Sequence, residues 1–246
     1  MLSWLFGKSK TAEIVQLDRI GIDIHSHLIP GIDDGVETVE ESIEMILKMK
    51  ELGYSHIITT PHVIWDCYRN TPDIIRQGLK QVRDACRDAN IEVNVQAAAE
   101  YFIDEHFVEM LSKGEELLTL PGKRLLVELP YSTPLMNTSE TLFGILAKGY
   151  QPVLAHPERY TYFHSQPEVF QKLVAQGCEL QVNVLSLSSY YGPNVQKMAN
   201  WLLEKQLVSF LGSDAHKMGH LDMISKCDKN GWLSKYPFQN EKLVSK

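Results

Sequence analysis

Short apolar strands alternate with amphipathic helices about seven times along this chain, and this pattern restricts the fold more than any other feature. The predicted strands cover residues 21–27, 54–60, 91–99, 124–129, 151–155, 179–183 and 207–212, with a smaller one at 117–120. The predicted helices cover residues 37–52, 72–88, 104–111, 138–148, 166–176, 194–205 and 217–228. Strands joined through helices pair in parallel, so the chain belongs to the α/β class. At 246 residues, a closed (β/α) barrel is favoured over an open doubly wound sheet.

We expect one domain over residues 21–246, preceded by an N-terminal extension over residues 1–20. Four apolar side chains of the extension could touch a membrane surface or a partner, although a loose or core-docked terminus is expected: Leu2, Trp4, Leu5 and Phe6. The first strand is not followed by a Gly-x-Gly-x-x-Gly turn, so the sequence does not support a dinucleotide site.

The net charge, the length of the apolar stretches and the spacing of the cysteines argue against several classes of function. The net charge of −7 and the absence of a Lys/Arg run argue against nucleic acid as a bulk partner. No apolar stretch reaches the length of a membrane span, so stable membrane insertion is not expected. The four cysteines form no Cys-x-x-Cys pair, which fits a reducing compartment, and we expect a cytoplasmic protein. None has arginine six positions later, which excludes the Cys-x5-Arg phosphate loop.

Residues that can ligate a metal collect at the ends of the predicted strands. His25 and His27 point to one face of the first strand, and the next loop adds Asp33 and Asp34. All strand ends open on one face of a parallel barrel, so these side chains should converge. The candidate ligands are His25, His27, Asp34, His62, Glu100, Glu128, His156, Asp214 and His216. One cation needs fewer ligands, so two or three ions are predicted, with Glu100 as a bridge.

The chemistry of these ligands indicates a hydrolase. Carboxylates mixed with imidazoles, without thiolates, suit Mn²⁺, Fe²⁺ or Zn²⁺ better than Mg²⁺. In binuclear phosphatases such ions activate a water molecule and promote its in-line displacement of the leaving oxygen at phosphorus. Arg159, three residues after His156, is well placed to bind a phosphate, and the alternative is a surface pair with Glu158.

Six motifs together resemble the polymerase-and-histidinol-phosphatase (PHP) superfamily. They are Asp-Ile-His-Ser-His-x-x-Pro-Gly-x-Asp-Asp-Gly at 23–35, Thr-Pro-His at 60–62, Ala-Ala-Glu at 98–100, Ala-His-Pro-Glu-Arg-Tyr at 155–160, Gln-Val-Asn at 181–183 and Gly-Ser-Asp-Ala-His at 212–216. Within the superfamily they resemble the bacterial metal-dependent protein-tyrosine phosphatases of capsule and exopolysaccharide synthesis. The resemblance implies a distorted (β/α)7 TIM-like barrel of the PHP type with a trinuclear metal centre.

The resemblance also implies roles for individual residues. It assigns a first ion to His25, His27, Glu100 and Asp214, a second to Glu100, Glu128 and His156, and a third to Asp34, His62 and His216. Carboxylates at Asp34 and Glu128, where many PHP enzymes have histidine, favour the tyrosine-phosphatase branch. The implied catalytic residues are Arg159, Asp34, Asp214 and His216. Lys217 and His220 are candidates for substrate binding, since they follow the last motif where some members have a second arginine.

The predicted function is therefore that of a phosphotyrosine-protein phosphatase, with Mn²⁺ favoured and Fe²⁺, Co²⁺ or Zn²⁺ as alternatives. The predicted substrate is a bacterial tyrosine autokinase of polysaccharide assembly. A small-molecule phosphomonoesterase of the histidinol-phosphate type, a phosphodiesterase or nuclease, and a non-catalytic metal-binding scaffold that regulates the kinase stay open. A homo-oligomer is compatible with the sequence, which fixes no stoichiometry.

Overall fold

The computed structural model describes residues 17–227 and 231–244, and these residues form nine parallel strands and eight α-helices. The strands are β1 (Ile22–Asp23), β2 (His56–Thr59), β3 (His62–Val63), β4 (Asn94–Ala97), β5 (Glu100–Phe102), β6 (Arg124–Glu128), β7 (Gln151–Ala155), β8 (Glu179–Asn183) and β9 (Val208–Gly212). The helices are α1 (Val39–Glu51), α2 (Pro72–Asp88), α3 (Glu105–Lys113), α4 (Thr138–Ala147), α5 (Glu168–Ala175), α6 (Pro193–Glu204), α7 (Met218–Ile224) and α8 (Trp232–Lys235). The apolar side chains predicted near the start of the chain, at positions 2–6, lie outside the described residues.

The nine strands correspond to seven strand positions, because two of the positions are each divided into two strands. They form two sheets, and the strands within each sheet are parallel. One sheet has the order β1-β2-β4, and the other has the order β3-β5-β6-β7-β8-β9. β2 and β3 are two parts of one strand position, broken at Thr60 and Pro61, and proline has no N–H to donate to a ladder. β4 and β5 divide in the same way around Ala98 and Ala99. The seven predicted strand positions are therefore present.

Contacts between the segments that follow β1 and β9 connect the two ends of this series. Ser26 and Ala215 form a parallel bridge. The N–H of His27 donates to the Ala215 carbonyl at 3.0 Å, and the N–H of Asp214 donates to the His25 carbonyl at 2.7 Å. The predicted α/β class and distorted (β/α)7 arrangement are confirmed, with the hydrogen bonding divided between two sheets. A single domain over residues 21–246 stays a prediction.

Two predicted strands are much shorter in the structure. The strand predicted at 21–27 is regular only over Ile22–Asp23. The backbone of residues 25–27 pairs with residues 214–215, and the Ser26 carbonyl also accepts from the Thr60 N–H at 2.7 Å. The segment predicted at 117–120 contributes one antiparallel bridge, between Leu120 and Arg124. The contacts between residues 25–27 and 214–215 join parts of the chain that are nearly 190 positions apart, and local sequence patterns do not reveal such contacts.

The side chains that point into the barrel are apolar near the starts of the strands and polar near their ends. A buried cluster contains Ile22, Ile58, Leu126, Val153 and Phe210, each from a different strand. Alternate residues of a strand share a face, so Glu128 points the same way as Leu126. The larger cluster packs the helices against the outside of the strands. The strand starts therefore supply the core, and the strand ends supply the site.

Helices α1 and α2 each begin at a threonine cap. The Oγ1 of Thr71 accepts from the Ile74 N–H, and Pro72 occupies the first turn of α2, as predicted. Thr38 caps α1 through the Glu41 N–H, so this helix starts two residues later than predicted. None of the helices in the described ranges is long and apolar enough to cross a membrane.

Two helical glycines allow a matched test of packing. A Cβ added at Gly78 in α2 would overlap Cγ2 of Ile29, whereas a Cβ at Gly144 in α4 meets nothing within 4 Å. Gly to Ala favours a helix by about 1 kcal/mol, but overpacking costs about 1–3 kcal/mol. We expect Gly78→Ala to lower the free energy of unfolding by about 1 kcal/mol, and Gly144→Ala to raise it by about 0.5–1 kcal/mol, in chemical denaturation. Stabilisation by both substitutions would contradict the packing at Ile29.

Candidate metal centre

The nine ligands predicted from the sequence lie together at the carboxyl ends of the strands. They form four overlapping groups whose ligand atoms lie within 4.8 Å of one another: His27, Asp34, His62 and His216; His25, His27 and Glu100; His25, His156 and Asp214; and His62, Glu100 and Glu128. His25, His27, His62 and Glu100 each belong to two groups, so the groups are joined into a single cluster.

Glu100, which is fully buried at the start of β5, occupies the centre of the cluster. Its Oε2 lies 3.1 Å from Nε2 of His25, 3.6 Å from Nε2 of His27 and 3.0 Å from Nδ1 of His62. Its Oε1 lies 3.0 Å from Nε2 of His156. One carboxylate thus faces four imidazoles from three strand positions, an arrangement that suits a bridging ligand.

Several atoms of the cluster are buried without a hydrogen bond. Across the described ranges of the chain, Nε2 of His25, Nε2 of His27, Nδ1 of His62 and Oε2 of Glu100 are all in this state. Buried polar atoms are nearly always hydrogen bonded, and an unpaired one costs about 1–3 kcal/mol. Divalent cations would give these nitrogen and oxygen atoms their missing partners. The donor set therefore fits metal ions well.

Burial and neighbouring charges shift the pKa values of the cluster in both directions. Burial and the negative charge of Glu100 raise the pKa of Glu128 to about 7. Burial raises the pKa of Glu100, but the charges of His25 and His62 outweigh it and hold this pKa well below its usual range. Burial lowers the pKa of His156 to about 4, so its ring is neutral at pH 7 and has a lone pair to offer.

Two buried side chains orient the first pair of histidines. Nδ1 of His25 lies 2.7 Å from Oε1 of Gln181, and Nδ1 of His27 lies 2.8 Å from Oδ2 of Asp33. Both partners are oxygen acceptors, so each Nδ1 donates its hydrogen to them and each Nε2 points into the cluster. Asp34, and not Asp33, was predicted from the sequence as the candidate ligand of this loop. In the structure, Asp33 is buried behind His27, whereas the half-exposed Asp34 lies 3.4 Å from Nε2 of both His62 and His216.

Asp214 lies at the end of a hydrogen-bond chain from β8. The Gln181 amide donates to Oδ1 of Asn183 at 2.9 Å, and the Asn183 amide donates to Oδ2 of Asp214 at 2.6 Å. Asp214 has a φ of 49° and His156 a φ of 32°, a region that non-glycine residues rarely adopt. Such strain persists where the surroundings hold the residue firmly, as at functional sites. Gln181 and Asn183 belong to a motif noted in the sequence, but their role depends on these contacts.

A cavity of about 870 Å³ opens over the cluster, and Arg159 lies in its wall. Nη1 of Arg159 donates to Oδ2 of Asp214 at 3.0 Å. The alternative partner, Glu158, is fully buried and accepts from the backbone N–H of Asn183. Arg159 therefore faces the cavity next to the candidate ligands, where a phosphate could reach it.

The two remaining candidates for substrate binding also line the cavity. Lys217 is exposed at its rim. His220 is partly buried, and its Nδ1 lies 3.3 Å from the backbone N of His216. Tyr131 was not predicted from the sequence, and it lines the same cavity with its hydroxyl 3.1 Å from Nε2 of His156. Its position just after β6 is the signal that could have identified it.

Comparisons with known proteins agree with this geometry. Residues 21–230 match the family model described as capsular polysaccharide synthesis, CpsB/CapC. The chain is 31% identical over 197 residues to the tyrosine-protein phosphatase YwqE of Bacillus subtilis (strain 168), covering 80% of this chain and 78% of YwqE. It is 29% identical over 203 residues to the tyrosine-protein phosphatase CpsB of Streptococcus pneumoniae, covering 80% of this chain and 83% of CpsB.

A solved structure resembles the whole barrel. It comes from work on YwqE of Bacillus subtilis and CpsB of Streptococcus pneumoniae, which describes them as metal-dependent tyrosine phosphatases. The TM-score is 0.75 at 28% identity, and the match covers 91% of this chain and 84% of the other. The similarity therefore extends across most of the fold.

Proposed function

Since the chain belongs to the CpsB/CapC family of capsular polysaccharide synthesis, we propose that it is a metal-dependent phosphotyrosine-protein phosphatase. One observation carries the proposal: buried imidazole and carboxylate atoms without hydrogen bonds lie beside an arginine in the wall of one open cavity. The relatives with similar sequences are named tyrosine-protein phosphatases, which supports this substrate class.

The cluster would hold three divalent ions. The family resemblance implies a first ion among His25, His27, Glu100 and Asp214, a second among Glu100, Glu128 and His156, and a third among Asp34, His62 and His216. The geometric groups differ from these sets in placing His62 with Glu100 and Glu128, and His156 with His25 and Asp214. Mn²⁺ is the proposed ion, because oxygen and imidazole ligands are mixed and thiolates are absent from this set; Fe²⁺, Co²⁺ and Zn²⁺ are alternatives. When bound, such ions supply an activated water and charge stabilisation for displacement at phosphorus.

The protein's own side chains would position the ester. Arg159 binds the phosphate through the N–H groups that Asp214 leaves free, and the bond to Asp214 fixes the direction of the guanidinium. Asp34 serves as a ligand and not as an acid, because its hydrogen bond with His216 lowers its pKa to about 2. Lys217 and His220 would contact the phosphoprotein at the cavity rim.

The proposed substrate is a tyrosine-phosphorylated protein, in particular a bacterial tyrosine autokinase of capsule or exopolysaccharide assembly. The family's description as capsular polysaccharide synthesis supports this choice. We further propose a cytoplasmic location, in line with four cysteines that form no disulfide in the described residues. The net charge of −7 argues against a nucleic-acid substrate.

A substrate panel tests the proposed function. Phosphate release by the Mn²⁺-loaded protein is measured with a phosphotyrosine peptide, histidinol phosphate and a nucleotide diester. We expect the peptide to be hydrolysed with the highest kcat/KM. A higher kcat/KM for histidinol phosphate or the diester would still agree with metal-dependent hydrolysis, but it would overturn the assignment as a tyrosine phosphatase. No turnover of any substrate would support the non-catalytic scaffold.

Asp33 allows a test of the metal centre that does not depend on turnover. Asp33→Asn removes the charged acceptor behind His27 and allows an amide N–H to face Nδ1. Loss of such an outer partner typically weakens metal binding by about 10–100-fold, and we expect a loss in this range for Mn²⁺ in a chelator competition assay. Asp88→Asn is the matched control, since Asp88 is 78% exposed at the end of α2. Equal affinity of the Asp33 variant and the control would contradict the proposed role.

A further inference from the structure

Three tyrosines form one wall of the cavity, and we call Tyr131, Tyr190 and Tyr191 the aromatic wall. All three line the cavity over the cluster. Tyr131 is 42% exposed and Tyr190 is 39% exposed, so both rings offer surface to the cavity. The rings of Tyr190 and Tyr191 meet edge to face, with centroids 4.9 Å apart. The wall therefore presents aromatic surface directly next to the candidate metal ligands.

Arg159 lies between two rings of the aromatic wall. Its guanidinium carbon is 4.9 Å from the ring centroid of Tyr131 and 4.6 Å from that of Tyr191. Among the described residues, Asp214 is the one side chain that accepts a hydrogen bond from it. A guanidinium has five N–H donors, so donors remain for the oxygens of a phosphate. A phosphate bound there has its ester group beside the tyrosine rings.

The tyrosine rings would therefore contact the organic part of the ester. An aryl group can pack against these rings with edge-to-face or offset geometry, whereas a small alkyl group covers little of their surface. We propose that the aromatic wall makes the site selective for aryl over alkyl phosphates, with Tyr131 and Tyr191 as specificity-determining residues. This inference rests on the proposed function, because it assigns a preference to the same phosphate site.

A simpler role for the tyrosines would be to hold Arg159 in place. In that case their loss would weaken aryl and alkyl ligands by the same factor. The ratio of the two affinities separates the roles, because any displacement of Arg159 cancels in it. Only a ring contact with the ligand changes the ratio.

The experiment measures the binding of phenylphosphonate and methylphosphonate, which cannot be hydrolysed as esters, to the Mn²⁺-loaded protein by calorimetry. We expect the wild-type protein to bind phenylphosphonate about tenfold more tightly. In Tyr191→Leu and Tyr131→Leu this preference should fall to about twofold. Tyr236→Leu is the matched control, because Tyr236 packs against Lys235 at 5.2 Å and does not line the cavity. The control should retain the wild-type ratio.

Three results would overturn the inference: no aryl preference in the wild-type protein, an unchanged ratio in both wall variants, or no binding of either phosphonate. Failure of the proposed function is recognised separately. Aryl preference in binding without turnover of a phosphotyrosine peptide would refute the phosphatase and leave the aromatic wall standing. Turnover of the peptide with the same phenylphosphonate preference in wild type and wall variants would support the phosphatase and refute the role of the aromatic wall.

Discussion

Glu100→Gln is expected to lower kcat/KM for a phosphotyrosine peptide by about three orders of magnitude or more. Glu100 faces His25, His27, His62 and His156 and would bridge the first two ions. Glutamine keeps the size but loses the charge, and it presents an amide that cannot ligate as carboxylate does. Removing charge stabilisation at the reacting centre has effects of this size.

The measurement combines steady-state kinetics with the metal content of the purified protein. Metal content should fall together with activity in the Glu100 variant. Glu109→Gln is the matched control, because Glu109 is 55% exposed on α3 and pairs with Lys113 far from the cavity. Activity close to wild type in the Glu100 variant would contradict a central bridging role. A thermal melt of metal-free protein checks that the barrel is still folded.

Arg159→Lys is expected to lower kcat/KM for the same peptide by about 100-fold while leaving the metal content unchanged. Lysine retains the positive charge but lacks the planar fork that binds two phosphate oxygens and stacks between Tyr131 and Tyr191. It also fits the bond to Asp214 poorly. Arg159→Ala should lose about tenfold more, because the charge is lost as well.

The control for this prediction is Arg69→Lys. The Arg69 guanidinium lies 5.0 Å from the ring centroid of Trp65, so it is also a stacked arginine, but it does not line the cavity. We expect this variant to keep the wild-type kcat/KM. Unchanged kinetics in Arg159→Lys would remove Arg159 from the phosphate site. A loss of metal in Arg159→Lys would instead indicate that the arginine supports the cluster.

The sequence predicts the strand positions and the cluster for one physical reason. Parallel strands of a barrel bring their carboxyl ends to one face, so residues such as His62, Glu100 and His156 converge even though they are far apart in the chain. Spacing alone is enough to identify them, because each follows an apolar strand directly. The amphipathic helices are equally clear, since caps such as Thr71 are local signals.

Other features depend on contacts that no local pattern encodes. Asp33 and Asp34 are adjacent, yet one is buried behind His27 and the other faces His62. The aromatic wall joins Tyr131 after β6 to Tyr191 before α6, and it forms only because both loops fold over Arg159. The residues after β1 pair with residues 214–215, nearly 190 positions away in the chain. These are tertiary effects, which override what strand and helix preferences predict.

Removal and restoration of metal test the central proposal most directly. The protein is stripped with a chelator and dialysed, its residual metal content is measured, and phosphate release from a phosphotyrosine peptide is followed after addition of Mn²⁺, Co²⁺, Zn²⁺ or Mg²⁺. We expect turnover to vanish in the stripped protein and to return most fully with Mn²⁺, because the cluster mixes imidazoles with carboxylates. Full turnover by protein verified to be free of metal would contradict a catalytic metal centre at the strand ends.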